Sequence, residues 1–280
     1  MEQMQQNTVQ PRLIEAEQQK RIEQVCFHSL GLISRNCEYL DQHLARIGAD
    51  QATRQAVADI NAAAVQIDRV FSETMTLMEF LRGDEPPQLY PVDLCELLRQ
   101  IAAQADMIRE QLAVEIELDY GGWTSCCVQG NYSDAELLCL HLLSNALRAC
   151  REGSRVRLAL RRGQASWQMT VTDNGCGLPG GDPESVLENR RSFLGGAQLG
   201  LLICRECCRR MGWGLQVEPA AECGTQAVVT IPLYVSRDQT GGMVELCTES
   251  ELTQEQRRYH LRAMLVREMR TMPDRGEPEE

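Results

Sequence analysis

The sequence predicts an α+β protein in two parts: an N-terminal antiparallel helical hairpin, then an α/β sandwich with helices on one face of a sheet. Three observations carry this prediction. Apolar residues in the first third of the chain step by three and four, the helical period. After the break Gly83-Asp84-Glu85-Pro86-Pro87 they alternate by two in several short stretches, the strand period. Capping residues and glycines then separate helices from strands in the order helix, strands, helix, strands, loop, helix, strands.

Cys26, Leu30, Ile33, Cys37, Leu40, Leu44 and Ile47 form a heptad seam on a helix expected over 12–47, with residues 1–11 disordered. Gly48-Ala49-Asp50 breaks it. Val57, Ile60, Ala64, Ile67 and Phe71 continue the alternation on a second helix that runs to about residue 82. One hairpin cannot cover its own stripe, so two copies are expected to pair as a four-helix bundle, making a homodimer. In the second domain, 88–234, Asp93 reads as the N-cap of a helix over 94–110. AVEIELDY (113–120) reads as a strand paired with WTSCCV (123–128). Ser133 and Glu136 read as a capping box opening a helix over 134–151. VRLAL (156–160) and SWQMTVTD (166–173) read as paired strands, a helix over 199–211 ends at Gly212, and LQVEP and TQAVVTIPL supply the last strands. The extension 235–280 holds one amphipathic helix over 254–272, with Leu261, Leu265, Met269 and Met272 on its stripe, before a polar tail.

Composition narrows the function. The 280 residues are 43% hydrophobic, enough for a sizeable core, and carry a net charge of −12. That charge argues against nucleic acid as a partner. The thirteen cysteines are odd in number and scattered, as expected of reduced thiols in a cytoplasmic protein. No apolar run approaches the ~20 residues of a membrane helix. Cys204, Cys207 and Cys208 share a helix and have no second cysteine pair at ligand spacing, so they read as small core residues.

The chemistry gathers in three places. Asn145 and Arg148, with His141 four residues before Asn145, share a face of the helix in HLLSNALRA. Asp173, Gly175 and Gly177 form DNGCG directly after a strand, setting a carboxylate beside a backbone that a ligand can approach closely. Gly196, Leu199 and Gly200 stand in FLGGAQLGLLIC, which opens a helix whose N-terminus favours phosphate. Gly224-Thr225 follow in ECGTQAVVTIPL.

In this order and spacing the residues resemble the GHKL family, whose ATP-binding fold, of the Bergerat type, is shared by histidine kinases, chaperone ATPases, gyrases and mismatch-repair ATPases. The resemblance covers roughly residues 88–233. It implies that Asn145 holds Mg2+ on the triphosphate of ATP and that Arg148 meets phosphate. It implies that Asp173 accepts from the adenine amino group, directly or through water, with Thr225 holding the adenine-side water. The hairpin then stands where a histidine kinase carries its phosphoacceptor. His28 falls at heptad position f, opposite the seam, and His43 at g is its rival. The implied reaction is γ-phosphoryl transfer from ATP to His28 and on to an aspartate of a response regulator. The chain departs from the pattern at Ser29, where an acidic residue usually follows the histidine, at Gln198, which replaces the middle glycine of the second glycine box, and in a short lid, 178–194, where Phe193 stands for the family's aromatic motif. His141 stands where chaperone-type relatives carry a water-activating glutamate. A degenerate phosphotransferase or scaffold, or a sigma-factor-antagonist type of serine kinase, therefore remain alternatives.

Overall fold

The computed structural model describes residues 2–82, 87–106, 114–150, 153–177 and 199–233. The expected lid, Phe193, Gly196, Gln198 and the C-terminal helix lie outside these residues. The chain divides into two units, 1–72 and 73–280.

The first unit is helical. Helix α1 spans Glu2–Ile47 and α2 spans Gln51–Arg82. α1 starts at Glu2, which overturns the expectation of a disordered stretch over 1–11; the segment is rich in Glu and Gln, both good helix formers. The turn is built from three residues. Gly48 adopts φ 66°, the left-handed conformation that ends helices. Asp50 caps α2: its Oδ1 accepts from the Thr53 amide at 2.9 Å and its Oδ2 from the Thr53 hydroxyl at 2.7 Å. Those bonds hold the Asp50 carboxyl below its usual range. Arg54 bridges back to Asp41 at 3.7 Å. Along the seam, Cys37 and Ala64 are buried, whereas Ile33, Leu40, Ile47, Ile60 and Ile67 are each at least 40% exposed. One row of apolar residues is thus covered within the hairpin, and an adjacent row is left bare.

The second unit takes in residues 73–82 of α2, then β1 (Tyr90–Asp93), α3 (Leu94–Asp106), β2 (Glu115–Asp119), β3 (Cys127–Gly130), α4 (Tyr132–Ala149), β4 (Arg155–Arg162), β5 (Ser166–Asp173), α5 (Leu199–Met211), β6 (Gly214–Pro219) and β7 (Thr225–Pro232). Five strands form one sheet in the order β2-β4-β5-β7-β6, parallel between β2 and β4 and antiparallel elsewhere. Its buried rows run straight across the register: Leu158, Val171, Ala227 and Val217 in one, Leu160, Met169 and Val229 in the next. Between them Arg155, Arg157 and Arg161 point out of the core, so β4 alternates as a half-buried strand must. Arg157 and Arg161 both pair with Asp119 on the edge strand β2 and hold its carboxyl far below the usual range.

Two expectations are corrected. The strands read at 113–120 and 123–128 do not pair. β2 instead joins β4 in parallel, and β3 pairs antiparallel with β1, which the sequence reading had not recognised. The cause is Asp93: its Oδ1 caps α3 through the Cys95 amide at 2.9 Å and also accepts from the Cys126 amide at 3.0 Å, drawing the 126–130 segment to β1. The N-cap of α4 is Asn131, two residues before Ser133. Its side chain accepts from the Asp134 amide at 3.1 Å, so the helix already runs through Ser133.

Candidate functional site

α4 carries the polar face onto which the other elements converge. Its apolar positions Leu138, Cys139, Leu142, Leu143, Ala146 and Leu147 are sunk in the core, which fixes its rotation. His141, Ser144, Asn145 and Arg148 follow from that rotation. His141 is 3% exposed and Ser144 1%. The Asn145 Nδ2 and the Ser144 Oγ are buried without a hydrogen-bond partner. An orphaned amide costs ~1–3 kcal/mol, so a native fold tolerates one where a ligand completes it.

α5 begins at Leu199, with Gly200 in its first turn against α4. A Cβ on Gly200 would stand 3.3 Å from His141 Nδ1, 3.5 Å from Glu73 Oε1 and 3.7 Å from Asn145 Oδ1. Glycine at this position lets three polar side chains close on one point. Glu73 was missed by sequence reasoning. It lies off the heptad seam, where a charged residue is ordinarily solvated, yet it is 4% exposed and 4.0 Å from His141 Nδ1. The available signal was a second stripe: Glu73, Leu77 and Phe80 share a helix face, and Leu77 and Phe80 pack against the core of the second unit.

The opposite wall is the turn after β5. Asp173 is 5% exposed, and its Oδ1 accepts from the Gly175 amide at 2.9 Å and the Thr225 amide at 3.2 Å. Burial raises the Asp173 carboxyl above its ordinary value, and these two bonds act against the rise. A Cβ on Gly175 would fall 2.1 Å from the Ala149 carbonyl oxygen, at the C-terminus of α4. A Cβ on Gly224, where φ is 89°, would fall 2.1 Å from the Asp173 carbonyl oxygen. Only backbone fits at either point. Gly177, at φ 73°, lies against Gly224 in turn. The Cys176 amide bonds Ala149 O at 3.0 Å and ties the turn to the helix that bears Asn145 and Arg148.

Sequence-predicted residues Asn145, Arg148, Asp173, Gly175, Gly177, Leu199, Gly200 and Thr225 thus fall on three elements that touch: α4, the start of α5, and the joined turns after β5 and before β7. Gly196 lies outside the described residues. His28 belongs to the first unit, on an exposed face of α1. The cysteines of α5 are core: Cys204, Cys207 and Cys208 are buried, and burial pushes the Cys208 thiol to about 12. Among the described residues no group of side chains offers a metal-binding cluster of His, Cys, Asp and Glu, and no helix is long and apolar enough to cross a membrane.

Residues 130–235 match the family described as histidine kinase-, DNA gyrase B- and HSP90-like ATPases. The sensor protein DivL of Caulobacter vibrioides is 28% identical over 138 residues, which are 47% of this chain and 17% of that protein. The sensor-like histidine kinase SenX3 of Mycobacterium bovis is 21% identical over 216 residues, 75% of this chain and 52% of that protein. The chain therefore spans about half or less of the length of these two relatives. Among solved structures, full-length ShkA in complex with AMPPNP superposes with a TM-score of 0.53 at 19% identity, covering 65% of this chain and 39% of that one. That likeness concerns the fold.

Proposed function

From the premise that residues 130–235 belong to the histidine kinase-, DNA gyrase B- and HSP90-like ATPase family, with sensor histidine kinases among the chain's relatives, we propose a protein histidine kinase that binds Mg-ATP, phosphorylates His28 and passes the phosphoryl group to a response-regulator aspartate. The observation that carries the reading is the buried carboxylate of Asp173, held from one side by two backbone amides and walled by glycines that admit no Cβ. Such a carboxylate is suited to accept from an adenine amino group, with Thr225 beside it for an adenine-side water.

The orphaned amide of Asn145 fits a phosphate-side role. Asn145 would hold Mg2+ through its carbonyl oxygen, and the metal would neutralise charge on the triphosphate. Arg148, one helical turn on, adds a cation for the phosphates, and Leu199 and Gly200 frame them at the start of α5, with Gly196 assigned to the same role from the sequence alone. Phosphoryl transfer then rests on positioning and charge neutralisation. His28 supplies the nucleophile. Its side chain is exposed on α1, and neutral imidazole is competent near pH 7. The bare row Ile33, Leu40, Ile47, Ile60 and Ile67 supports pairing of two hairpins into a homodimeric four-helix bundle. We place the reaction in the cytoplasm, where ATP and a response regulator are both at hand.

A second reading is a phosphotransferase that no longer turns over ATP, favoured by Ser29 after His28 and by Gln198 in the second glycine box. Incubation with γ-labelled ATP and Mg2+, beside His28→Ala, separates the two. Acid-labile label lost in the variant is expected of the kinase. No label in either protein, under conditions where a related kinase labels readily, would favour the second reading. Acid-stable label would point to a serine kinase.

A further inference from the structure

We propose that Cys176 and Cys223 form a dithiol on the rim of the nucleotide site, which hydrogen peroxide closes to a disulfide that weakens nucleotide binding; the second half of this rests on the ATP-site reading above.

The cysteines of this chain are not alike. Of the twelve that are described, eight are buried and two half-buried. Burial pushes Cys95 to about 11 and Cys208 to about 12, and raises Cys126, Cys139, Cys204 and Cys207 still further or by the same cause. These remain thiols near neutrality, and it is the thiolate that reacts. The two exposed members, Cys176 and Cys223, sit on the two turns that hold Asp173. Cys176 stands between Gly175 and Gly177; Cys223 immediately precedes Gly224.

The turns are in contact. The Cys223 Sγ lies 3.7 Å from the carbonyl oxygen of Asn174, two residues before Cys176. The position a Cβ would take on Gly177 is 3.5 Å from Gly224 O and 3.9 Å from Gly224 Cα. Gly177 and Gly224, the neighbours of the two cysteines, are therefore in contact, which sets Cys176 and Cys223 on adjoining stretches of backbone; a disulfide spans a Cα separation of ~4.4–6.8 Å.

The chemistry balances with one peroxide. One thiolate attacks a peroxide oxygen and breaks the O–O bond, giving a sulfenic acid and, after proton uptake, water. The second thiolate attacks the sulfenic sulfur and expels hydroxide, which is protonated to a second water. Two thiols and one hydrogen peroxide become one disulfide and two waters, with two electrons passing from sulfur to oxygen. The new bond locks together the turns that supply the Gly175 and Thr225 amides to Asp173, so the carboxylate can no longer settle around a ligand. In a reducing cytoplasm such a bond is transient, as a signal requires.

The test uses the full chain, reduced, then treated with hydrogen peroxide, with remaining thiols alkylated and the protein digested for mass spectrometry. A cross-linked pair of peptides joining Cys176 to Cys223, reversed by dithiothreitol and absent in Cys176→Ser and Cys223→Ser, is expected. Affinity for a fluorescent adenine nucleotide should fall about tenfold on oxidation, a typical coupling between two events, and should not respond to peroxide in either serine variant. Both cysteines recovered alkylated, separately oxidised, or joined to other partners would overturn the proposal, as would a cross-linked protein of unchanged affinity. If the reduced protein binds no nucleotide, the ATP-site reading fails, while the cross-link still reports on the dithiol.

Discussion

Replacing Asp173 by Asn separates the structural from the functional work of this carboxylate. Both amide donors, from Gly175 and Thr225, end on Oδ1. An Asn side chain in the same rotamer keeps an oxygen there and preserves both bonds. What changes is the other atom, which turns from an acceptor into an N–H donor. If an adenine amino group meets that atom, donor then faces donor in a buried site. The cost is ~1–3 kcal/mol, which is roughly 5- to 150-fold in Kd. Stability should move the other way. Burial raises the Asp173 carboxyl, so it binds protons more tightly folded than unfolded. The domain therefore loses stability as pH climbs from the ordinary carboxylate value through the raised one. Asn, neutral throughout, escapes it. Asp173→Asn should thus bind nucleotide far more weakly in calorimetry while melting no lower than the parent near pH 7. Asp173→Ala, which strands two amides, should lose both. An Asp173→Asn protein with unchanged affinity and an unchanged melt would refute the argument that this carboxylate reads the base.

Other perturbations follow from the same geometry. Gly224→Ala puts a side chain at φ 89° and 2.1 Å from a backbone oxygen; about 1–2 kcal/mol for the left-handed conformation and about 1–3 for the clash should appear as a lower urea midpoint. Asp134→Ala removes the partner of Arg210, which it bonds at 2.8 Å and which also lies 4.8 Å from the Phe80 ring centroid. Its loss should cost about 2–3 kcal/mol, less than a fully buried pair because Arg210 keeps 17% exposure. If two hairpins pair as proposed, Leu40→Glu, in the bare row of α1, should turn that dimer into a monomer in analytical ultracentrifugation without lowering its helical circular dichroism per residue; a dimer that persists would show that this row is not the seam.

Elements governed by their own residues were legible. The hairpin, α5 with Gly212 behind it, and the β4–β5 and β7 strands follow from local periodicity and turn chemistry. The Trp213 amide reaches back to Cys208 O at 2.8 Å, the closing bond that a glycine at 212 permits. What escaped were features decided across the chain. The pairing of β3 with β1 depends on Asp93 bonding two amides far apart in sequence. The N-cap depends on which of Asn131 and Ser133 turns its side chain inward, and both are good caps. Glu73 is buried by what packs over it, which its place in α2 does not announce.

The same distinction explains why the candidate nucleotide site is easier to read than the proposed phosphoacceptor. The site is built where two backbones meet, and there glycine is irreplaceable: at Gly175 and Gly224 an added carbon would stand 2.1 Å from a carbonyl oxygen. Such a requirement leaves its mark at fixed positions in any sequence that folds this way. An exposed histidine on a helix makes no such demand, since any polar residue satisfies that face of α1. His28 is therefore argued from its position opposite the seam, and Ser29 beside it supplies no carboxylate to take its proton. Near Gly200, by contrast, His141 is buried with the Glu73 carboxylate 4.0 Å from its Nδ1, a surrounding that only the folded chain reveals. The acid-labile label on His28, more than nucleotide consumption, is therefore the decisive observable for the proposed kinase.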